Sequence, residues 1–191
     1  MSDLIKETER TKYETVWADR GYAAQADGDP VVDLAFNIMG CVHGESLIDW
    51  GCGCGRPAAK FQRLGLSVVG FDIAYNCMDK DVGVPLLIRC LWDLPNDGVA
   101  ADYAFCTDVL EHIPPEKLGL VIANMRARTH KAAFIQVCTV LDTSGPKMSP
   151  PQRLHLSVFP TSVWEQKLLA VWPAVKPVKA GGKVRSAFLC R

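Results

Sequence analysis

No stretch of the sequence approaches the roughly 18 to 20 uncharged apolar residues that a membrane-spanning helix requires, so no transmembrane segment is expected. The first residues, MSDLIKETERTKYE, are polar and lack the apolar core of a secretion signal, which points to the cytoplasm and to reduced thiols. The eight cysteines never form a CxxC pair. Cys52 and Cys54 are the only close couple, and His43 has no companion at zinc-motif spacing, so no metal is expected. Net charge is absent too. With 21 basic against 21 acidic side chains, the molecule as a whole exerts no general attraction on nucleic acid or an anionic membrane. The phosphate-binding ending GK[ST] is missing, and the dinucleotide fingerprint GxGxxG fails because Arg56 stands where its third glycine belongs.

What is present is an apolar chain of 191 residues, 49% hydrophobic, long enough for one sizeable core and short for two. One domain over residues 1–191 is expected. Short β-type runs alternate with helical segments, the pattern of a layered α/β sheet. Residues 1–45 read as helices: one from Ile5 to about Gln25 with Tyr13, Trp17 and Tyr22 on its aromatic side, then one opened by Asp29-Pro30. The strands are SLIDW, SVVGFD, PLLIRC, ADYAFCTD and AAFIQVCTV. Helices are expected over about 57–64, closed by Gly65, and about 116–129, where Leu118, Val121, Ile122 and Met125 form a core-facing stripe. Residues 143–160, rich in proline and serine, read as a substrate-side loop. PTSVWEQKLLAVW resumes as helix, and two β-type runs joined around Gly181-Gly182 give a hairpin. Five βα units followed by a hairpin amount to a doubly wound, mostly parallel seven-stranded sheet with an antiparallel end.

Between the first strand and its helix lies GCGCG. Glycine lets backbone approach a ligand, and a helix N-terminus adds a concave site. Open α/β sheets bind ligands at the carboxyl ends of their strands, and the residues placed there are Asp49, Asp72, Asp93, Asp108 and Glu111. All are acids, which repel a pyrophosphate and suit a cationic ligand bearing hydroxyls. Asp72 lies 21 residues beyond Gly51, where a carboxylate can accept hydrogen bonds from a ribose.

In order and spacing, LIDWGCGCG, VVGFDIA, LWDLP and FCTDVLEHIPPEKL resemble the successive motifs of class I S-adenosylmethionine-dependent methyltransferases. The likeness is strong from Leu47 to Leu118 and weaker beyond. It implies S-adenosyl-L-methionine as cofactor, with Gly51, Gly53 and Gly55 beside the methionine moiety and Asp49 anchoring that loop and the amino group. It further implies Asp72 on the ribose, Asp93 on the adenine amino group with Trp92 beside the ring, and Asp108 facing cofactor and acceptor. The two cysteines inside the loop depart from the family pattern but are small enough for it.

Methyl transfer needs a base only where the acceptor carries a proton; His155 and His112 are the candidates. His112 reads equally as a locally bonded strand-end residue, and His155 sits just past the long loop, where the family often places substrate contacts. Asp93 also suits a turn before Leu94-Pro95, and the aromatics of the first helix suit either the core or a lid over the acceptor. From Thr143 onward eight cations face one acid, Glu165. Those on the hairpin, Lys176, Lys179, Lys183 and Arg185, fit protection of a sheet edge, or else an anionic acceptor such as a nucleotide or nucleic acid strand. The tetrad of base-amine methylating enzymes is replaced by TDVLEH, and no Pro-Cys pair exists for C5-methylation of pyrimidines. The resemblance thus implies methyl transfer to an acceptor, a small molecule being favoured. A binding partner or regulatory subunit without catalysis is the alternative.

Overall fold

The computed structural model describes residues 2–24, 28–147, 151–180 and 182–191. It opens with α1 (Ser2–Ala18) and the short α2 (Arg20–Ala23). The sequence suggests one helix to about Gln25; instead Asp19 interrupts it, its Oδ1 accepting from Tyr22 N at 3.0 Å as a cap would. Gln25 itself lies outside the described residues. A helical turn over Asp29–Val31 leads into α3 (Val32–Met39), which ends where Gly40 takes a left-handed φ of 76°. Then come β1 (Ser46–Trp50), α4 (Arg56–Arg63), β2 (Ser67–Asp72), β3 (Leu86–Ile88) and β4 (Ala101–Thr107). After them follow α5 (Pro115–Ala127), β5 (Thr129–Cys138), α6 (Thr161–Leu169), β6 (Val175–Val178) and β7 (Arg185–Cys190).

The seven strands form one sheet in the order β3-β2-β1-β4-β5-β7-β6. The first five are parallel, and β7 runs antiparallel to both β5 and β6. The alternation of strand and helix is less regular than the sequence suggests. Helices follow β1, β4 and β5, but residues 73–85 and 89–100 join β2, β3 and β4 without one. These connections carry Gly83 and Gly98 at left-handed φ, together with Pro95, and no apolar stripe that a helix could bury. α1 ties itself to both: Lys6 Nζ pairs with Asp93 at 2.7 Å, and Asn76 Nδ2 donates to the Glu14 carbonyl at 2.9 Å. Gly181 of the expected hairpin turn lies outside the described residues.

Strand side chains alternate between two cores, as a sheet covered on both faces requires. Leu47, Phe105 and Phe134 pack with Phe61 of α4 and Val32 and Ala35 of α3. Ile48, Trp50 and Ile135 pack on the other face with the α5 stripe Leu118, Val121, Ile122 and Met125 and with Trp164. At the open edge, β6 carries exposed Lys176 and Pro177, both of which discourage a further strand. No helix among the described residues is long and apolar enough to cross a membrane. Because the chain leaves β1 toward β3 and resumes at β4 on β1's other side, the order reverses between β1 and β4, and a crevice opens at their carboxyl ends.

Phe105 and Phe134 stack with centroids 5.7 Å apart, both fully buried. Phe134→Ala should lower unfolding free energy in urea by about 3–5 kcal/mol, whereas Leu141→Ala, at a site 70% exposed, should change it by less than about 0.5 kcal/mol. Equal effects would contradict this core.

Candidate functional site

The crevice begins at the end of β1. Gly51, Gly53 and Gly55 adopt φ of 71°, 48° and 75°, a left-handed backbone that side chains resist. The turn folds back on β2, with Gly51 N and Cys52 N both donating to Phe71 O at 2.8 and 2.9 Å. Asp72 locks it: one carboxylate oxygen accepts from Gly53 N at 3.0 Å, the other from Ala74 N at 2.9 Å. Asp49 is buried beneath the turn, and its Oδ2 has no hydrogen-bond partner. Burial, reinforced by the charge of Asp72, pushes the Asp49 carboxyl up to about 8. Burial likewise raises Asp72, against the lowering effect of its backbone donors. Two buried carboxylates beside a turn stripped of side chains are an unfavourable arrangement that a neighbouring cation relieves.

Two cavities flank the turn. The larger, about 420 Å³, is walled by Asp49, Gly51, Gly53, Asp108, His112 and His155 among others. The smaller, about 90 Å³, lies between Asp72 and Trp92 under Tyr13 and Trp17 of α1. Tyr13 and Trp17 are therefore cavity walls as well as packing residues. A Cβ on Gly53 would come within 2.7 Å of the Trp17 indole, so the ring lies directly over the turn. The Trp92 indole nitrogen is buried without a hydrogen-bond partner.

The structure thus gathers Asp49, Gly51, Gly53, Asp72, Trp92, Asp108, His112 and His155 around adjoining cavities. Gly55 lines neither; it stands at the start of α4, where Met78 and Val82 occupy the space of a side chain. Asp93 also lines neither, its exposed carboxylate turned to Lys6.

At β4, Asp108 is the only non-glycine residue at positive φ (53°) among the described residues. Its Oδ1 accepts from Arg185 Nε at 2.8 Å and its Oδ2 from Gln136 Nε2 at 3.1 Å, while its own N–H donates to Gln136 O at 3.0 Å. Sequence reading assigns Arg185 to edge protection or to an anionic acceptor; the structure turns it inward onto Asp108. The antiparallel register sets Arg185 opposite Cys138, at the carboxyl end of β5. That register was the available signal, since β7 must begin where β5 ends.

The histidines differ. His112 Nδ1 faces Leu154 O at 3.1 Å, and burial, with His155 adding to it, drives its pKa down to about 3, so the ring is neutral. His155 Nδ1 faces Val140 O at 2.7 Å. A carbonyl only accepts, so Nδ1 is the donor of that bond.

No protein-family model and no curated protein matches the sequence, but solved structures resemble the fold. DhpI, solved as a complex with SAH, superposes with a TM-score of 0.75 at 16% identity, covering 97% of this chain and 96% of that one. The Burkholderia thailandensis 1,6-didemethyltoxoflavin-N1-methyltransferase, with its substrate and S-adenosylhomocysteine bound, gives 0.66 at 20% identity over 100% and 85%. An O-methyltransferase family protein from the same organism gives 0.66 at 18%, and there this chain spans only 55% of the other's length. The chain has the class I methyltransferase fold. Within that methyltransferase fold the β1–β4 crevice is where this chain concentrates its buried charge, its strained backbone and both cavities.

The left-handed backbone at Asp108 costs Cβ-bearing residues about 1–2 kcal/mol. Asp108→Gly should therefore unfold at higher urea than Asp108→Ala by about 1 kcal/mol. Both variants lose the Arg185 contact equally, so an Ala variant as stable as the Gly one would refute the strain.

Proposed function

We propose that the chain is an S-adenosylmethionine-dependent methyltransferase acting on a small molecule. The observation that carries this reading is the unpartnered, buried Asp49 oxygen beside the glycine turn. An ammonium group there gains a charged hydrogen bond and offsets the repulsion between Asp49 and Asp72. Asp72 holds the turn while keeping lone pairs for hydroxyl donors, and the Trp92 ring offers a flat apolar wall on the same side. The donor set fits this cofactor, as do the bound molecules of DhpI and the 1,6-didemethyltoxoflavin-N1-methyltransferase.

Once bound, S-adenosylmethionine supplies a methyl group on sulfonium, already a good leaving group. The remaining task is alignment, for which well-oriented reactants gain roughly 7 to 11 kcal/mol. The larger cavity extends from the turn to Leu154, His155 and Arg185, leaving room for an acceptor against Asp108 and His112. His155, on the cavity wall, is the candidate to take a proton from the acceptor; His112, neutral and hydrogen-bonded, orients the wall. A small acceptor is favoured because part of the cationic surplus is already engaged within the chain. Arg185 is held by Asp108, Arg191 donates to Ile38 O, and Lys167 lies over Phe159. The 1,6-didemethyltoxoflavin-N1-methyltransferase is likewise named for a small molecule.

Titration calorimetry should detect S-adenosylmethionine binding, weakened at least tenfold, about 1.4 kcal/mol, by Asp72→Ala. Lack of binding by the unaltered protein would overturn the reading. The Asp49 pKa, about 8 folded against roughly 4 unfolded, means the folded protein holds a proton that the unfolded chain has released between those values. Stability from this group therefore falls as pH rises from about 4 through 8. A cation arriving at Asp49 reverses the shift. Binding at pH 7, compared in phosphate and Tris, should release about one proton, and Asp49→Asn should abolish the release.

A methyl-label assay over a panel of small hydroxylated and heteroaromatic compounds should find turnover. There His155→Ala should lower kcat by about 10²–10⁴ with cofactor affinity unchanged. Binding without turnover on any acceptor would instead favour a non-catalytic binding subunit.

A further inference from the structure

Beside the acceptor end of the larger cavity, three side chains that the sequence holds far apart converge. A carboxylate oxygen of Glu111, the sulfur of Cys138 and a ring nitrogen of His155 all lie within 4.8 Å of one another. Glu111 sits in the helical turn Leu110–His112 after β4, Cys138 ends β5, and His155 lies in the segment before α6. Backbone bonds fix them together: Leu156 N and Ser157 N both donate to Glu111 O at 2.8 Å, and Cys138 N donates to Glu111 Oε1 at 2.8 Å. The turn after β4 is thus tied to the end of β5 and to the segment that carries His155.

Glu111 is fully buried, and its Oε2 has no hydrogen-bond partner. Burial first, then the charge of Asp108, pushes its carboxyl up to about 8, with Arg185 acting in the opposite sense. Other titratable groups near the cluster are His112, whose ring meets His155 edge-on at 4.9 Å, Asp142 across the cavity, and Tyr13 and Cys106, both of which feel the Glu111 charge. None donates a hydrogen bond to Oε2. A buried carboxylate with an oxygen that lacks a donor, a thiol and an imidazole together offer the donor types that zinc-class cations take.

We propose that Glu111, Cys138 and His155 form a binding site for a thiophilic divalent cation of the zinc class. One oxygen, one sulfur and one nitrogen donor make three protein ligands, the number that catalytic zinc sites use while leaving a fourth position open. Cys138 and His155 both line the cavity, so that position faces it. The second cluster of this kind, Cys52, Asp72 and Cys77, is the weaker candidate, since both Asp72 oxygens already accept from backbone N–H groups. Resting on the methyltransferase reading, the further consequence is that His155 would serve as a ligand in place of the base, and the acceptor would bind through a hydroxyl or thiol as fourth ligand, its pKa lowered by the ion.

The test uses the full chain, stripped with a chelator and titrated with Co²⁺ alone. One equivalent should bind, with a sulfur-to-cobalt charge-transfer band in the near ultraviolet and the visible bands of four-coordinate cobalt. Cys138→Ser should remove the charge-transfer band, and His155→Ala, at a half-exposed position, should weaken uptake at least tenfold. The double variant Cys52→Ser/Cys77→Ser should keep the spectrum. Absence of stoichiometric uptake, a band that survives Cys138→Ser, or one lost only in the double variant would each overturn the site. S-adenosylmethionine binding measured on the same preparation separates the two ideas: intact binding without cobalt uptake defeats the metal site alone.

Discussion

Asp72 ties the glycine turn to the end of β2, and the geometry of the whole crevice follows from that tie. Its two oxygens reach Gly53 N and Ala74 N, one on each wall, so the turn after β1 and the segment after β2 cannot move independently. Hydrogen bonds to a charged carboxylate contribute about 1.5–3 kcal/mol each, enough to hold three glycines at left-handed φ in one conformation. The same tie has an electrostatic consequence. Burial, with the charge of Asp72 adding to it, raises the Asp49 carboxyl beneath the turn to about 8, and burial raises Asp72 as well, so the two acids disfavour each other's charge.

A second constraint comes from the far side of the crevice. Asp108 is held at positive φ by Arg185 and Gln136, contributed by the antiparallel end of the sheet. Backbone strain of this kind persists only where surrounding structure over-determines it, and here three strands converge on one carboxylate. Negative charge at the crevice is therefore distributed unequally. Asp108 is neutralised by a cation of the chain itself, Asp72 by backbone dipoles, and Asp49 and Glu111 each retain an oxygen without a partner. One of these unsatisfied carboxylates lies beneath the glycine turn and the other in the helical turn after β4, beside Cys138 and His155.

Sequence pattern alone located β1 and β2 to the residue, because alternation and bounding glycines or polar turns coincide there. The hairpin and the helix stripe of α5 were equally legible, as strong periodicity makes them. The missing helices after β2 and β3 were not, since expectation of a regular βα repeat overrode the local glycine and proline signals. Within the site, the residues that follow parallel strands could be read from the rule that ligands gather at carboxyl ends. Arg185, Cys138 and Gln136 escaped because their place depends on β5–β7 register, a non-local fact. For the same reason the Glu111–Cys138–His155 cluster has no sequence signature: its members are 27 and 17 residues apart, unlike any zinc-motif spacing.

The position of α1 bears on how a ligand of nucleoside size could use both cavities. The smaller one, about 90 Å³, falls below the roughly 300 Å³ at which small-molecule sites begin. It shares Trp17, Tyr22, Gly51, Asp108 and His112 with the larger one, so Trp17 and its helix form the partition. Displacing α1 by a small amount would merge the two. The polar bonds opposing that movement are weak ones: Lys6 to Asp93 is a half-exposed pair, a class that contributes about 0–1 kcal/mol, and Asn76 donates a single hydrogen bond to Glu14 O. Packing opposes it more, since Val16 is fully buried, Ile5 rests on the core and Tyr13 meets the His112 ring edge-on at 5.8 Å. The partition is therefore held by apolar contact, which is non-directional, whereas the glycine turn opposite it is held by directed hydrogen bonds to Asp72 and Phe71.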